Sequence, residues 1–151
     1  MGSTSLQGAL ISVIVPAYNK AKYIQETLQS LWSSTHKHLE VFVVDDGSTD
    51  NTRAVLQSWI QSGQICYAWK ENDGFKGPGR AINWALPKVR GDFVHCLDAD
   101  DLIEPSYYER VLEAFASDAS LGAVATDALE IDSQGMVRGP FRLGYFQSIE
   151  D

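Results

Sequence analysis

The chain has 151 residues, 44% hydrophobic and 21% charged, enough for one domain with a real core and too few for a second of ordinary size. Twelve basic against twenty acidic residues give a formal net charge of −8. That excludes non-specific nucleic-acid binding, which needs a basic face, but admits an anionic ligand held through a divalent cation. No apolar run approaches the roughly 18 residues of a membrane helix, and the N-terminus lacks the basic-then-apolar order of a secretory signal.

Met1 to Gly8 is small and polar, so residues 1–9 are expected to form a disordered leader. Leu6 stands where a myristoylation motif needs Ser or Thr. Leu10 to Val15 is a continuous β-branched run that reads as a strand buried on both faces. Lys22 to Trp32 carries Tyr23, Ile24, Thr27, Leu28 and Leu31 at helical spacing. The pair His36 and His38 has no cysteine partners and reads as a solvated turn. Leu39 to Val44 is a second buried strand, stopped by the turn cluster Asp45-Asp46-Gly47-Ser48. Ser48 or Asp50 can cap a helix through Gln61 with Val55, Leu56, Trp59 and Ile60 inward. Gln64 to Trp69 reads as a third strand, Glu71 to Gly79 as a glycine-rich loop, Arg80 to Val89 as a helix and Asp92 to Leu97 as a fourth strand.

Ile103-Glu104-Pro105 then breaks the chain. A helix from Ser106 to Ala116 follows, with Tyr107, Val111, Leu112 and Phe115 as its stripe. Leu121 to Thr126 reads as a fifth strand, and Leu129 to Ile131 with Met136 to Arg138 as a hairpin about Ser133-Gln134-Gly135. Cys66 and Cys96 both fall in predicted strands. They are expected to be buried free thiols, which fits a reducing compartment.

Alternating strands and helices imply an α/β fold with right-handed crossovers and a mostly parallel sheet. Ligands in such sheets bind past the carboxyl ends of the strands, so the segments after each strand carry the chemistry. After the fourth strand, Asp98 and Asp100 lie two apart and can aim two carboxylates at one point, with small Ala99 between them. Two hard oxygen donors suit Mg²⁺ or Mn²⁺. Asp101 reads equally as a helix cap or a third ligand. After the second strand, Asp46 is expected to meet a ligand, such as the N–H of a pyrimidine ring, whereas Ser48 and Asp50 read as turn and cap. After the first, Tyr18 is either a base-stacking residue or a buried edge, and the backbone of Pro16 and Ala17 can approach a base edge-on. Lys76 and Arg80 either face a phosphate or are merely solvated. There is no G-x-G-x-x-G and no G-x-x-x-x-G-K-[ST], which disfavours a dinucleotide-binding domain and excludes a P-loop.

Taken in order, Ile11 to Lys20 (ISVIVPAYNK), Val41 to Asp50 (VFVVDDGSTD), Arg80 to Asn83 (RAIN) and Gly91 to Asp101 (GDFVHCLDADD) resemble the family 2 glycosyltransferases. The resemblance covers about residues 10 to 120. It implies a GT-A fold, Rossmann-like and three-layered, over residues 10–151, binding a nucleoside-diphosphate sugar that is usually UDP-linked. Pro16, Ala17 and Tyr18 would line the base pocket. Asp46, with Asp45 beside it, would read the base, and Asp98, Ala99 and Asp100 would form the DxD motif at ribose or metal. The implied reaction is metal-dependent transfer to an acceptor hydroxyl with inversion, the acceptor being a glycan or a lipid-linked group. The family's catalytic base lies in a downstream acidic motif. Glu150-Asp151 arrives too early for that role, so no base is assigned and the chain is expected to be a truncated, donor-binding half of a longer enzyme. The alternative is a non-catalytic module that holds a nucleotide sugar. A nucleotidyltransferase would want a Gly/Arg-rich loop where Pro16-Ala17-Tyr18-Asn19 stands. Placement is expected to be cytoplasmic, with the parent enzyme working at the inner face of a membrane. Apolar surface from Phe141 to Phe146 is a candidate for self-association.

Overall fold

Ile11–Ala17 forms strand β1, and every one of its residues is buried. Its only polar side chain, Ser12, is satisfied by donating from Oγ to Glu40 Oε1 at 2.5 Å. A computed structural model of the chain describes residues 6–72, 74 and 77–141. After β1 come α1 (Ile24–Ser33), β2 (Leu39–Asp46), α2 (Thr52–Val55), α3 (Gln57–Gln61), β3 (Cys66–Lys70), α4 (Gly79–Ala85), β4 (Phe93–Cys96) and α5 (Tyr107–Ser117). All four strands are parallel, in the order β3-β2-β1-β4. The expected α/β fold with a parallel central sheet is what forms.

Pleat alternation divides the core into two layers. Val13, Val15, Val41 and Val43 point to one face, where Ile24, Leu28 and Leu31 of α1, Leu56, and Tyr108 and Leu112 of α5 close over them. Ile14, Phe42 and Val44 point to the other, where Ala81 and Ala85 of α4 pack. Helices therefore flank both faces of the sheet, giving the three layers expected. The predicted α1 stripe is buried at Ile24, Thr27, Leu28 and Leu31. Truncating a fully buried leucine such as Leu28 costs about 2–5 kcal/mol.

Several sequence expectations are corrected. Leu6 and Ala9, within the expected leader, pack against the larger core, and Ala9 carbonyl accepts from His36 Nε2 at 3.0 Å. His36 is consequently buried, and only His38 is a solvated turn residue. The helix expected to run to Gln61 is interrupted at Leu56, whose backbone opens to φ −88°, ψ −4° between α2 and α3 while its side chain stays buried. Cys66 and Cys96 are exposed free thiols. Their register partners, Phe42 and Ile14, place them on the α4 face, and the seven residues of α4 cover the inner strands but not β3 and β4. Tyr108 rather than Tyr107 is the fully buried tyrosine of α5. Ser106 occupies the N-cap position but makes no side-chain cap bond.

Contacts divide the chain into two compact units, residues 1–118 and 119–151. In the second, the expected strand Leu121 to Thr126 has no ladder. Gly122, Ala123 and Ala125 offer little apolar area to bury on a sheet. The expected hairpin does form, as β5 (Leu129–Ile131) antiparallel to β6 (Val137–Pro140), with Gly135 at positive φ in the turn. Phe141 is exposed, and the remainder of the Phe141 to Phe146 segment, with Glu150 and Asp151, lies outside the described residues. No helix among the described residues is long and apolar enough to cross a membrane.

Candidate functional site

Strand order reverses between β1, which pairs outward to β2 on one side, and β4 on the other. Such a switch point splays the loops apart at the carboxyl edge and leaves a crevice. A cavity of about 630 Å³ opens there. Its walls are Pro16, Ala17, Tyr18 and Lys20 after β1, Asp46 ending β2, and Asn72, Gly74, Gly77 and Pro78 from the loop after β3. Ala81 of α4 and Asp98, Ala99 and Asp100 after β4 complete it.

Strand parity aims these groups. Leu97 amide continues the ladder by donating to Ile14 carbonyl at 3.0 Å. Leu97 and Ala99 insert into the larger core, so Asp98 and Asp100 turn outward and line the cavity. Asp101 amide donates back to Asp98 carbonyl at 3.0 Å, which ends the extended run. The first turn of α5 comes only at Tyr107, so Asp101 caps no helix. Its carboxyl is pushed above the usual range, first by burial and then by the charges of Asp98 and Asp100, with Lys20 opposing. Lys20 Nζ pairs directly with Asp100 Oδ2.

The same parity splits Asp45 from Asp46. Asp46 shares the α4 face, lines the cavity and pairs with Lys70 at the end of β3. Asp45 points to the other face, is 1% exposed and is not among the lining residues. Its Oδ1 accepts from Ser48 amide at 2.8 Å and its Oδ2 from Tyr67 hydroxyl at 2.7 Å. Tyr67 hydroxyl is held strongly in its protonated form, by burial first and then by that bond. Asp45 is therefore a brace for the β2 turn, not a cavity wall as expected for a base reader.

Ser48 and Asp50, read as turn and cap, lace two loops together. Asn19 amide donates to Ser48 Oγ at 2.9 Å, and Asn19 Oδ1 accepts from Thr49 amide at 2.8 Å. Asn19 sits at φ 54°, a region that Asn tolerates. Asp50 Oδ2 accepts from Ala21 amide at 3.1 Å, and Lys20 amide donates to Thr52 Oγ1 at 2.9 Å. Burial would raise the Asp50 carboxyl, but bonds from Thr52 hydroxyl, Thr52 amide and Ala21 amide hold it below its ordinary value. Gly47 has φ 75°, and a Cβ there would lie 2.7 Å from Asn72 nitrogen. That close approach lets Asn72 Nδ2 donate to Asp46 carbonyl at 3.0 Å and fixes one cavity wall.

Tyr18 is 49% exposed on the cavity rim. Arg80 is exposed on the first turn of α4 and is not among the lining residues. Lys76 lies outside the described residues. The sequence reading placed the loop after the third strand, Lys70 to Gly79, on the ligand edge without assigning Lys70, Asn72, Gly74, Gly77 or Pro78 a role, and it gave none to Lys20 or Ala81. Lys20 and Lys70 each end or follow a strand on the ligand edge, which was the available signal, but their ion pairs reach across to other strands.

A family model described as "Glycosyl transferase family 2" matches residues 12–147.

The chain belongs to glycosyl transferase family 2.

Among its relatives, chondroitin synthase of Escherichia coli is 39% identical over 127 residues, covering 83% of this chain and 18% of that protein. An uncharacterized glycosyltransferase of Rickettsia typhi is 38% identical over 100 residues, 66% of this chain and 30% of its own. S. aureus TarS 1-349, solved in complex with UDP-GlcNAc, superposes with a TM-score of 0.64 at 35% identity, covering 72% of this chain and 31% of that one. The mannosyltransferase PcManGT from Pyrobaculum calidifontis, in complex with GDP-Man and Mn²⁺, superposes with a TM-score of 0.62 at 30% identity, covering 72% and 32%. The sheet and its flanking helices are thus those of the GT-A enzymes, and this family 2 chain spans less than a third of each of these relatives.

Proposed function

We propose that this chain holds a UDP-linked sugar for inverting, hexosyl-type transfer to a glycan or lipid-linked hydroxyl by the whole enzyme. The observation that carries the reading is one cavity with a carboxylate, Asp46, on one wall and a carboxylate pair, Asp98 and Asp100, on another. Asp46 would accept from the ring N–H of uracil, flanked by Pro16 and Ala17 backbone, with Tyr18 stacking on the base. The diphosphate would lie toward Asp98 and Asp100. The complexes of TarS with UDP-GlcNAc and of PcManGT with GDP-Man support a nucleotide sugar as the donor.

Asp98 and Asp100 fit a divalent cation. They are hard oxygen donors on alternate positions facing open space. Among the described residues no group of three His, Cys, Asp or Glu forms a cage. Diphosphate oxygens and water would supply the other ligands, as suits Mg²⁺ or Mn²⁺. When bound, the cation would neutralise charge developing on the departing diphosphate. The chain's own part is to orient: the laced rim holds Tyr18 and Lys20 in place, and Ala99 anchors the carboxylate pair.

Calorimetry of UDP with and without Mn²⁺ tests the reading. Binding should require Mn²⁺ and be lost in Asp100→Ala, and GDP should bind less well than UDP. UDP binding that survives Asp100→Ala unchanged would sink the clamp; equal binding of GDP would sink the pyrimidine reading.

A further inference from the structure

Among the described residues that line the cavity, Lys20 is the sole Lys, Arg or His, against three aspartates. Asp46 already has a cation in Lys70. Lys20 Nζ is committed to Asp100 Oδ2, with the two side chains 31% and 40% exposed. A metal ion reaching Asp100 therefore competes with an ammonium group already on Oδ2.

The Lys20 backbone is fixed. Its amide donates to the buried Thr52 hydroxyl, and its carbonyl accepts from Tyr23 and Ile24 amides, both at 3.0 Å, to begin α1. Its four-carbon stem is not fixed, so Nζ can swing within the cavity while the main chain stays still. A diphosphate entering the cavity presents that ammonium with more negative charge than one carboxylate does.

Resting on the nucleotide reading above, we propose that Lys20 is a built-in counter-cation. It holds Asp100 until a diphosphate draws it away, so divalent-cation binding is conditional on nucleotide. An empty cavity then keeps Asp46 and Asp100 paired and discriminates against free metal, and Lys20 adds a direct contact to the diphosphate once moved. Linkage makes the coupling reciprocal: the factor by which UDP tightens Mn²⁺ equals that by which Mn²⁺ tightens UDP.

The test is Mn²⁺ binding to the full chain, followed by electron paramagnetic resonance of free Mn²⁺, with and without UDP. Wild type should bind Mn²⁺ weakly alone and about tenfold or more tightly with UDP. Lys20→Met keeps the stem and removes the charge. It should bind Mn²⁺ alone about tenfold more tightly than wild type, with the enhancement by UDP reduced by that same factor but not abolished, because the diphosphate oxygens still supply ligands. Lys20→Arg, which keeps the charge, should behave as wild type and reports on folding. Unchanged Mn²⁺ affinity in Lys20→Met without nucleotide overturns the counter-cation. If no variant binds Mn²⁺ even with UDP, the clamp reading itself fails, and this inference with it.

Discussion

Gly91→Ala tests how β4 is seated against β1. Gly91 amide donates to Ser12 Oγ at 2.8 Å, and Ser12 Oγ donates on to Glu40. Arg90 amide, at 2.6 Å, and Arg90 guanidinium, at 2.9 Å, both donate to the same Glu40 carboxylate. A Cβ at position 91 would lie 2.5 Å from Ser12 Oγ, 2.6 Å from Ser12 nitrogen and 2.8 Å from Leu10 oxygen. Two of those three atoms are backbone, one in β1 and one just before it, and cannot rotate away. Overpacking of this kind costs about 1–3 kcal/mol, and loss of the Gly91–Ser12 bond adds about 1 kcal/mol. The expected loss is therefore about 2–4 kcal/mol in urea unfolding at constant m-value. Gly79→Ala is the control, because nothing lies within 4 Å of its Cβ position, and it should stay within about 0.5 kcal/mol of wild type. If Gly91→Ala also stays within that margin, the claim that this glycine is required by close approach is wrong.

His95 is half-buried beneath α5, with Nδ1 2.9 Å from Tyr108 hydroxyl, and desolvation pushes it down to about 4 from 6.5. Its folded value lies below its unfolded one, so the unfolded chain binds more protons between those values and stability falls as pH drops through that window. Between pH 7 and pH 5 the loss should be about 2 kcal/mol. His95→Gln should lack this part of the slope, and equal slopes in urea unfolding would refute it. Asp45→Ala leaves Tyr67 hydroxyl and Ser48 amide without their acceptor. It should cost about 2–3 kcal/mol, with Tyr67→Phe costing less and the double variant less than the sum, as thermal or urea melts would show.

The larger features were legible because burial writes itself into the sequence. Ile11 to Ala17 and Val41 to Val44 are almost uninterrupted β-branched and apolar runs, as strands covered on both faces are. The carboxylates were legible because they follow those runs. The rest depends on distance across the chain. Asp45 and Asp46 look alike in sequence, and only the pairing with Trp69 and Lys70 assigns one to each face. The lacing of Asn19 to Ser48 joins residues 29 apart, and the pairing of Lys20 with Asp100 joins residues 80 apart. The exposure of Cys66 and Cys96 turns on the length of α4, which a strand pattern does not carry. The break at Leu56 has no local signal such as Gly or Pro.

The two-sided end of β2 sets a rule for length as well as for chemistry. Since neighbouring side chains face opposite ways, one residue inserted or removed inside Leu39–Asp46 with its start held in register would exchange the brace with the cavity carboxylate and turn over every valine between the change and that end. Substitutions at this end can be graded; changes of length cannot. Variation among sequences that keep this architecture should therefore gather in the loops on either side of the strand, with its residue count left intact.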